Sequence, residues 1–267
     1  MLAFAGNSLL CRLALTSTRI DAASFTTIRL LSGAVMLWLL VRMRGGMRGG
    51  RGSWQSALAL FVYAAGFSFA YINLSVATGA LLLFGAVQAT MIGVGLVRGE
   101  QLRGPQFIGL LLAVAGLVGL LLPGLSAPPL AAAALMLSAG VAWGVYSLRG
   151  RGASNPIQVT AGNFLLAAPM AMLVSLFLVR SASLDPVGVW YAMGSGALAS
   201  GLGYAIWYSA LPALKPATAA VVQLCVPAIT TIGGLVFLHE PITSRVALAS
   251  AAILGGIALV VFGAKRT

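Results

Sequence analysis

The side chains best suited to chemistry in this chain are aromatic and recur at helical spacing. Tyr63, Phe67 and Tyr71 follow one another every four residues, which places them on one face of a helix. Tyr204 and Tyr208 repeat this spacing later in the chain. Such rings suit the wall of a cavity for a small organic ligand, because they stack and the hydroxyl groups of the tyrosines also form hydrogen bonds. The alternative is that they pack between helices or form interfacial belts.

Polar side chains are few and lie within apolar runs, where they must bond across helices or to a ligand. The buried amides are expected to be Asn7, Asn73, Gln88, Asn163 and Gln223, and bonding between helices is their commoner role. Arg29 is expected either to bind a substrate carboxylate or to hold a helix end. The predicted substrate-binding residues are Asn7, Arg29, Tyr63, Phe67, Tyr71, Phe84, Gln88, Trp143, Tyr146, Asn163, Tyr204, Tyr208 and Gln223.

The composition predicts an all-α polytopic membrane protein. Hydrophobic residues make up 60% of the chain, charged residues only 7%, and the mean hydropathy is +1.01. A chain of 267 residues has room for about ten spans of roughly 20 residues. The net charge of +12 does not indicate nucleic-acid binding, because the cations fall between apolar runs rather than on one face. The predicted spans are 1–15, 22–41, 54–76, 78–97, 105–122, 129–148, 156–179, 186–211, 216–238 and 242–263.

Several chemistries lack the residues they need. The acids Asp21, Glu100, Asp185 and Glu240 all fall at predicted span ends, which disfavours antiport of cationic drugs against protons. The sole histidine, His239, also lies at a span end, and no phosphate-binding loop of the GxxxxGK type is present. We therefore expect neither an enzyme nor an ATP-driven pump. No cofactor and no metal site are expected.

Two parts of the chain resemble each other. Thr78-Gly79-Ala80, Gly99-Glu100 and Gly116 recur in the same order as Thr218-Ala219-Ala220, His239-Glu240 and Gly256. This predicts two five-helix repeats, residues 1–123 and 129–267, in a single membrane domain. Glu100 and Glu240 are expected to cap the helices that follow them. Small residues such as Gly109 and Gly256 are expected to allow close helix contact.

The basic residues predict the topology. Most flank one set of span ends, including Arg42, Arg44, Arg98, Arg149 and Lys265. The positive-inside rule then places both termini in the cytoplasm. With five spans in each repeat, the second repeat enters the membrane from the opposite side. Inverted repeats around a central cavity are typical of transporters that work by alternating access.

The chain resembles the EamA-type branch of the drug/metabolite transporter superfamily. The resemblance rests on Arg29, Gly99-Glu100, Pro227, Glu240-Pro241 and Gly255-Gly256. Phe-Ala-Gly-Asn-Ser at 4–8 and Ala-Trp-Gly-Val-Tyr at 142–146 are most similar to the YddG-like amino-acid exporters. The resemblance implies ten helices, of which the first four of each repeat enclose a cavity and the fifth braces the outside.

The sequence therefore predicts an exporter of amino acids, with aromatic ones included, in the bacterial inner membrane. Its expected partners are a small-molecule substrate and membrane lipids, with no nucleic acid, and it is expected to act as a monomer. The alternatives are an exporter of drugs or of other metabolites, such as nucleobases or sugars, and a solute channel.

Overall fold

The computed structural model describes residues 1–46, 51–99, 101–124, 127–150, 155–210 and 216–263. Throughout these ranges the regular structure is helical and contains no strand. In the first part of the chain the helices are α1 Leu2–Ser17, α2 Ala22–Met43, α3 Trp54–Tyr71, α4 Val76–Val97 and α5 Gly104–Leu121. In the second part they are α6 Leu130–Gly150, α7 Pro156–Phe177, α8 Pro186–Met193, α9 Gly203–Ala210, α10 Pro216–Phe237 and α11 Ser244–Gly263.

Two short elements complete the second part of the chain. A 3-10 turn, Val179–Ser181, follows α7. A π-helical segment, Gly194–Leu202, lies between α8 and α9, so that residues 186–210 run on as one interrupted helix. We refer to Gly194–Leu202 as the π segment.

Short polar side chains set where several helices begin. Asp21 accepts hydrogen bonds from the backbone N–H groups of Ala23 and Ser24, both at 2.9 Å, and so caps α2. Ser53 caps α3 and Ser75 caps α4 in the same way. The third predicted span, 54–76, is therefore too long, because α3 ends at Tyr71 and Ser75 already starts the next helix.

Six of the described helices, α2, α4, α5, α6, α7 and α11, are long and apolar enough to cross a membrane. Val222–Phe237 within α10 is a shorter apolar helix. The outward face of α5 exposes large apolar side chains such as Phe107, Ile108 and Leu111, which suit contact with lipid. The prediction of an all-helical polytopic membrane protein is confirmed at this level.

Small residues bring helices from the two halves of the chain into contact. On α5, Gly109 lies against the backbone of Gly256 on α11, and Gly116 lies against Ala252 and Ile253 of the same helix. No side chain larger than hydrogen fits at Gly109 or Gly256 without displacing backbone atoms. Near the centre, α6 packs against α3 and α4, while α2 packs against α7 and the π segment. These contacts turn the aromatic faces of α3, α6 and α9 toward one another.

Candidate functional site

A small cavity lies at the centre of the helix bundle. Its volume is ≈ 20 Å³, enough for about one water molecule but not for an amino acid. Helices from both halves of the chain form the wall. We call it the central cavity, and its lining residues are Phe4, Asn7, Ser8, Tyr63, Phe67, Leu83, Phe84, Trp143 and Tyr204.

Trp143 of α6 is the hub of the aromatic wall. Its ring centroid lies 4.8 Å from that of Tyr63 and 4.9 Å from that of Tyr204. Phe4 meets Trp143 edge-on at 6.2 Å, and Tyr146 stacks on it at 5.4 Å. Each such pair contributes roughly 0.5–1.5 kcal/mol beyond its buried area. Ring contacts therefore join α1, α3, α6 and α9 across the two halves.

A chain of hydrogen bonds runs beside these rings. The side-chain amide of Asn7 donates to the Tyr63 hydroxyl at 3.1 Å, and its carbonyl oxygen accepts from Ser195 at 2.5 Å. Arg29 donates from Nη2 to the same Tyr63 hydroxyl at 3.1 Å and from Nε to Ser200 at 3.4 Å. Tyr63 thus receives a hydrogen bond from each of two buried donors.

Arg29 lies behind the cavity wall. Its side chain is only 1% exposed, and the guanidinium carbon stands 5.1 Å from the ring centre of Tyr63 and 4.9 Å from that of Phe67. These are cation–π distances, which partly offset the cost of burying the charge. Among the described residues Arg29 has no carboxylate partner, and its Nη1 atom has no hydrogen-bond partner.

The π segment positions the two serines of this network. Gly196 lies directly against the backbone oxygen of Arg29, so the segment packs closely on α2 and directs Ser195 and Ser200 inward. Both serines are fully buried. Single turns of π-helix occur frequently at functional sites, because the extra residue rotates the side chains that follow it.

A second cavity of ≈ 20 Å³ lies nearer the end of the bundle where α6 ends. Asn163 holds this region together, since its carbonyl oxygen accepts from the backbone of Ser53 at 2.9 Å and its amide donates to Tyr146 at 3.4 Å. We call it the second cavity, and it is lined by Ser56, Tyr146, Arg149, Gly150, Pro156, Val159, Thr160, Asn163 and Tyr208.

An ion pair closes the opposite end of the bundle, where α1 ends. Arg12 Nε donates to Glu240 Oε1 at 2.9 Å, and Nη1 donates to the backbone oxygens of Tyr71 and Ile72 at 2.8 and 2.9 Å. Glu240 Oε2 accepts from the backbone N–H of Val76 at 2.7 Å. We call this group the Arg12 clasp. It joins α1, the α3–α4 turn and the loop after α10.

The clasp corrects the prediction that Glu240 caps the helix that follows it. The backbone N–H of Glu240 donates back to Gly234 at 3.1 Å, so the loop turns toward the bundle. The carboxylate therefore reaches the first residue of α4 instead of α11. The other predicted cap, Glu100, lies outside the described residues.

Asp21 makes a further contact at the same end. Its carboxylate accepts from the backbone N–H of Ser183 at 2.9 Å, which links the α1–α2 turn to the loop before α8. Burial raises the pKa of the Asp21 carboxyl, but the hydrogen bonds from Ser24, Ser183 and Ala23 together lower it further. The pKa therefore lies below its ordinary value of 3.8.

The structure divides the predicted binding residues among several places. Asn7, Tyr63, Phe67, Phe84, Trp143 and Tyr204 line the central cavity, and Tyr146, Asn163 and Tyr208 line the second. Tyr71 is buried toward the Arg12 clasp, with its ring 4.7 Å from that of Phe67. Gln88 lines a separate apolar cavity between α4, α5 and α11.

Two of the predicted amide side chains lie outside all three cavities, and several residues of the site were not predicted from the sequence. Gln223 on α10 is half-buried. Asn73 is exposed in the α3–α4 turn, so the prediction that it is buried is wrong. Sequence reasoning missed Phe4, Ser8 and Leu83 in the wall, for which the helical period of α1 and α4 was the available signal. It also missed Ser195 and Ser200, which only the glycines around them could have suggested.

Comparisons with known proteins agree with this architecture. The EamA-like transporter family matches residues 130–262. Uncharacterized protein PA1977 of Pseudomonas aeruginosa is 56% identical over 261 residues, which span 97% of this chain and 91% of that protein. Residues 130–262 thus form an EamA-like transporter domain. The match points to a multi-pass membrane transporter rather than an enzyme and supports the drug/metabolite transporter superfamily.

Two further relatives extend the comparison. The threonine/homoserine exporter RhtA of Salmonella typhimurium is 32% identical over 160 residues, which span 57% of this chain and 53% of the exporter. A crystal structure of a protein 21% identical to this chain superposes with a TM-score of 0.70, over 100% of this chain and 99% of the other. That likeness shows the fold alone. Within the described ranges no group of three or more His, Cys, Asp and Glu side chains is placed to hold a metal ion.

Proposed function

We propose that this protein exports small metabolites by alternating access. Its main substrates in this proposal are amino acids, including aromatic amino acids. The observation that carries the proposal is the central cavity, whose aromatic and polar wall is shared by both halves of the chain and whose two ends are closed by contacts between those halves. Transporters of this kind pass through a closed state before either side opens. A cavity of ≈ 20 Å³ suits that state.

The architecture that this function requires is ten membrane spans in two inverted repeats. We assign α1 to α5 to the first repeat and α6, α7, residues 186–210, α10 and α11 to the second. The contact of α5 with α11 through Gly109 and Gly256 supports the assignment, because the fifth helix of each repeat then braces the outside of the bundle. One chain supplies the whole cavity wall, which favours a monomer as the working unit.

The orientation follows from the distribution of basic residues. Arg42, Arg44 and Arg149 lie at the end of the bundle where the second cavity is found, and the positive-inside rule makes this end cytoplasmic. Both termini then lie in the cytoplasm of a bacterial cell, with the protein in the inner membrane. The Arg12 clasp closes the outer end.

Amino acids fit the composition of the cavity better than cationic drugs do. No carboxylate lines either cavity, so a cation would have no counter-charge, whereas a zwitterion meets both polar donors and aromatic faces. The similarity to a threonine/homoserine exporter supports the same substrate class. The central cavity is closed at both ends of the bundle, which favours a transporter. An open channel would have a continuous pore across the membrane.

Purified protein in liposomes tests this proposal. We expect saturable uptake and counterflow of L-phenylalanine, L-threonine or L-homoserine, and no transport of a cationic dye such as ethidium. Trp143→Ala should reduce the rate at least tenfold at unchanged protein content, because it removes the hub of the wall. Trp190→Ala is the matched control, since Trp190 is 70% exposed on the outer surface. Transport of ethidium without amino acids, or flux that does not saturate, would refute the proposal.

A further inference from the structure

Two tyrosine hydroxyl groups in the wall of the central cavity are placed to donate hydrogen bonds to a ligand. A tyrosine hydroxyl has one proton to donate and two lone pairs to accept with. On Tyr63 both lone pairs are used, since Arg29 Nη2 and the amide of Asn7 each donate to this oxygen at 3.1 Å. The hydroxyl proton of Tyr63 must therefore be donated elsewhere, and Tyr63 lines the cavity.

Tyr204 provides a second donor in the same wall. Its side chain is 2% exposed, and its hydroxyl group has no hydrogen-bond partner among the described residues. Tyr204 and Tyr63 both line the central cavity, and the ring of each lies within 5 Å of the Trp143 ring, at 4.9 and 4.8 Å. A buried hydroxyl without a partner destabilises the folded protein. That cost is recovered when a ligand accepts the bond.

One nearby acceptor is already engaged, since the carbonyl oxygen of Asn7 accepts from Ser195 at 2.5 Å. Behind the wall stands the charge of Arg29, which has no carboxylate partner in the described part of the chain. In the low dielectric of a buried site this charge favours a negative group in the cavity and disfavours a positive one.

We propose that the central cavity binds the carboxylate of its substrate through the hydroxyl groups of Tyr63 and Tyr204. Arg29 acts behind them as a positioning residue: it fixes the direction of the Tyr63 proton and supplies the positive field. This inference rests on the proposed function and specifies how the same site selects its substrate. The ammonium group of a zwitterion is then left for the aromatic faces of the wall, with Trp143 at their centre.

The test compares an acid with its amide on the full-length purified protein. The probes are L-phenylalanine and L-phenylalaninamide, and L-threonine and L-threoninamide, with binding measured by calorimetry and transport measured in liposomes. Tyr63→Phe and Tyr204→Phe should each weaken binding of the acid by about 10- to 100-fold, the range for a hydrogen bond to a charged group. Both should weaken binding of the amide less, by about 2- to 10-fold, because its carbonyl oxygen accepts only a neutral hydrogen bond.

Tyr204→Phe keeps the experiment decisive if Tyr63→Phe impairs folding. The Tyr204 hydroxyl makes no protein hydrogen bond, so its removal should leave the unfolding temperature unchanged or higher. Tyr191→Phe is the matched control, because Tyr191 packs on the outside of the core and lines neither cavity.

The outcomes separate this inference from the function on which it rests. Equal losses for acid and amide, or no loss for either, would overturn the carboxylate assignment while amino-acid transport by the wild type still stood. If the wild type moves none of the amino acids, both proposals fall together. A preference for the acid over the amide that disappears in Tyr204→Phe supports the inference.

Discussion

Removing the Arg12 clasp should open the outer end of the bundle. Arg12 donates three hydrogen bonds to Glu240, Tyr71 and Ile72, and its side chain is only 17% exposed. Breaking a buried ion pair by removing one partner costs about 3–5 kcal/mol, and partial exposure lowers this to about 2–3 kcal/mol. If the clasp forms only when this end is closed, Arg12→Gln shifts the closed-to-open ratio by about 30- to 150-fold.

Cys11 offers a direct assay of this opening. It is fully buried and precedes Arg12 in the chain. In a Cys225→Ser background, the rate at which a membrane-impermeant maleimide labels Cys11 from outside should rise by that same factor in Arg12→Gln. Glu240→Gln should raise the rate comparably. The double variant should add little to either single one, because all three lose the same contact.

Arg19→Gln is the matched control for charge. Arg19 is exposed at the same end of the bundle, so its loss removes one positive charge without touching the clasp. Labelling of Cys11 should then stay within about twofold of the wild type. A folded Arg12→Gln protein that is labelled at the wild-type rate would refute the reasoning, because the ion pair would then contribute nothing to closure.

Two further predictions concern stability. Asp21→Asn should lower the unfolding temperature at neutral pH, and the difference from the wild type should shrink as the pH falls below about 3.8. The folded-state pKa of Asp21 is depressed, so its stabilising contribution is present above the unfolded-state pKa and is lost as the carboxylate is protonated. A difference that does not depend on pH would contradict this. Gly256→Ala should destabilise the protein by about 1–3 kcal/mol, because the added methyl group meets the backbone of Gly109 and Ala113. Gly255→Ala, with open space around it, should be neutral or stabilising in the same thermal-unfolding assay.

Features that depend on residue type and spacing could be read from the sequence. The composition predicted the all-helical membrane class, and small residues such as Gly109 and Gly256 marked a close helix contact that the structure contains. The four-residue spacing of Tyr63 and Phe67 placed two rings on one wall. Such patterns are local, because each depends on one helix and its period.

Features that depend on packing between distant segments could not be read in this way. The helices are apolar nearly all round, so periodicity does not fix which face turns inward. The sequence therefore did not separate Gln88, which faces α5 and α11, from Phe84, which faces the central cavity. In the π segment, Gly196 packs on Arg29, which is far from it in the sequence. The contact of Glu240 with α4 likewise depends on the path of the loop after α10.

The two ends of the bundle are closed by different chemistry, and the difference suits an exporter. The Arg12 clasp uses an ion pair that is largely shielded from water. The opposite end is held by hydrogen bonds: Ser53 to Asn163 at 2.9 Å, Gln158 to Gly46 at 3.0 Å, and the exposed Arg149 to Ser56 at 3.0 Å.

Two of these bonds join neutral groups and the third has the exposed Arg149 as its donor, so water can replace them when this end opens, whereas breaking the clasp leaves largely buried charged groups without partners. The end with Asn163 should therefore open at lower cost. In the proposed orientation this is the cytoplasmic end, where an exporter must load its substrate. Opening of the outer end then requires the free energy that a bound substrate supplies, which couples outward opening to an occupied cavity.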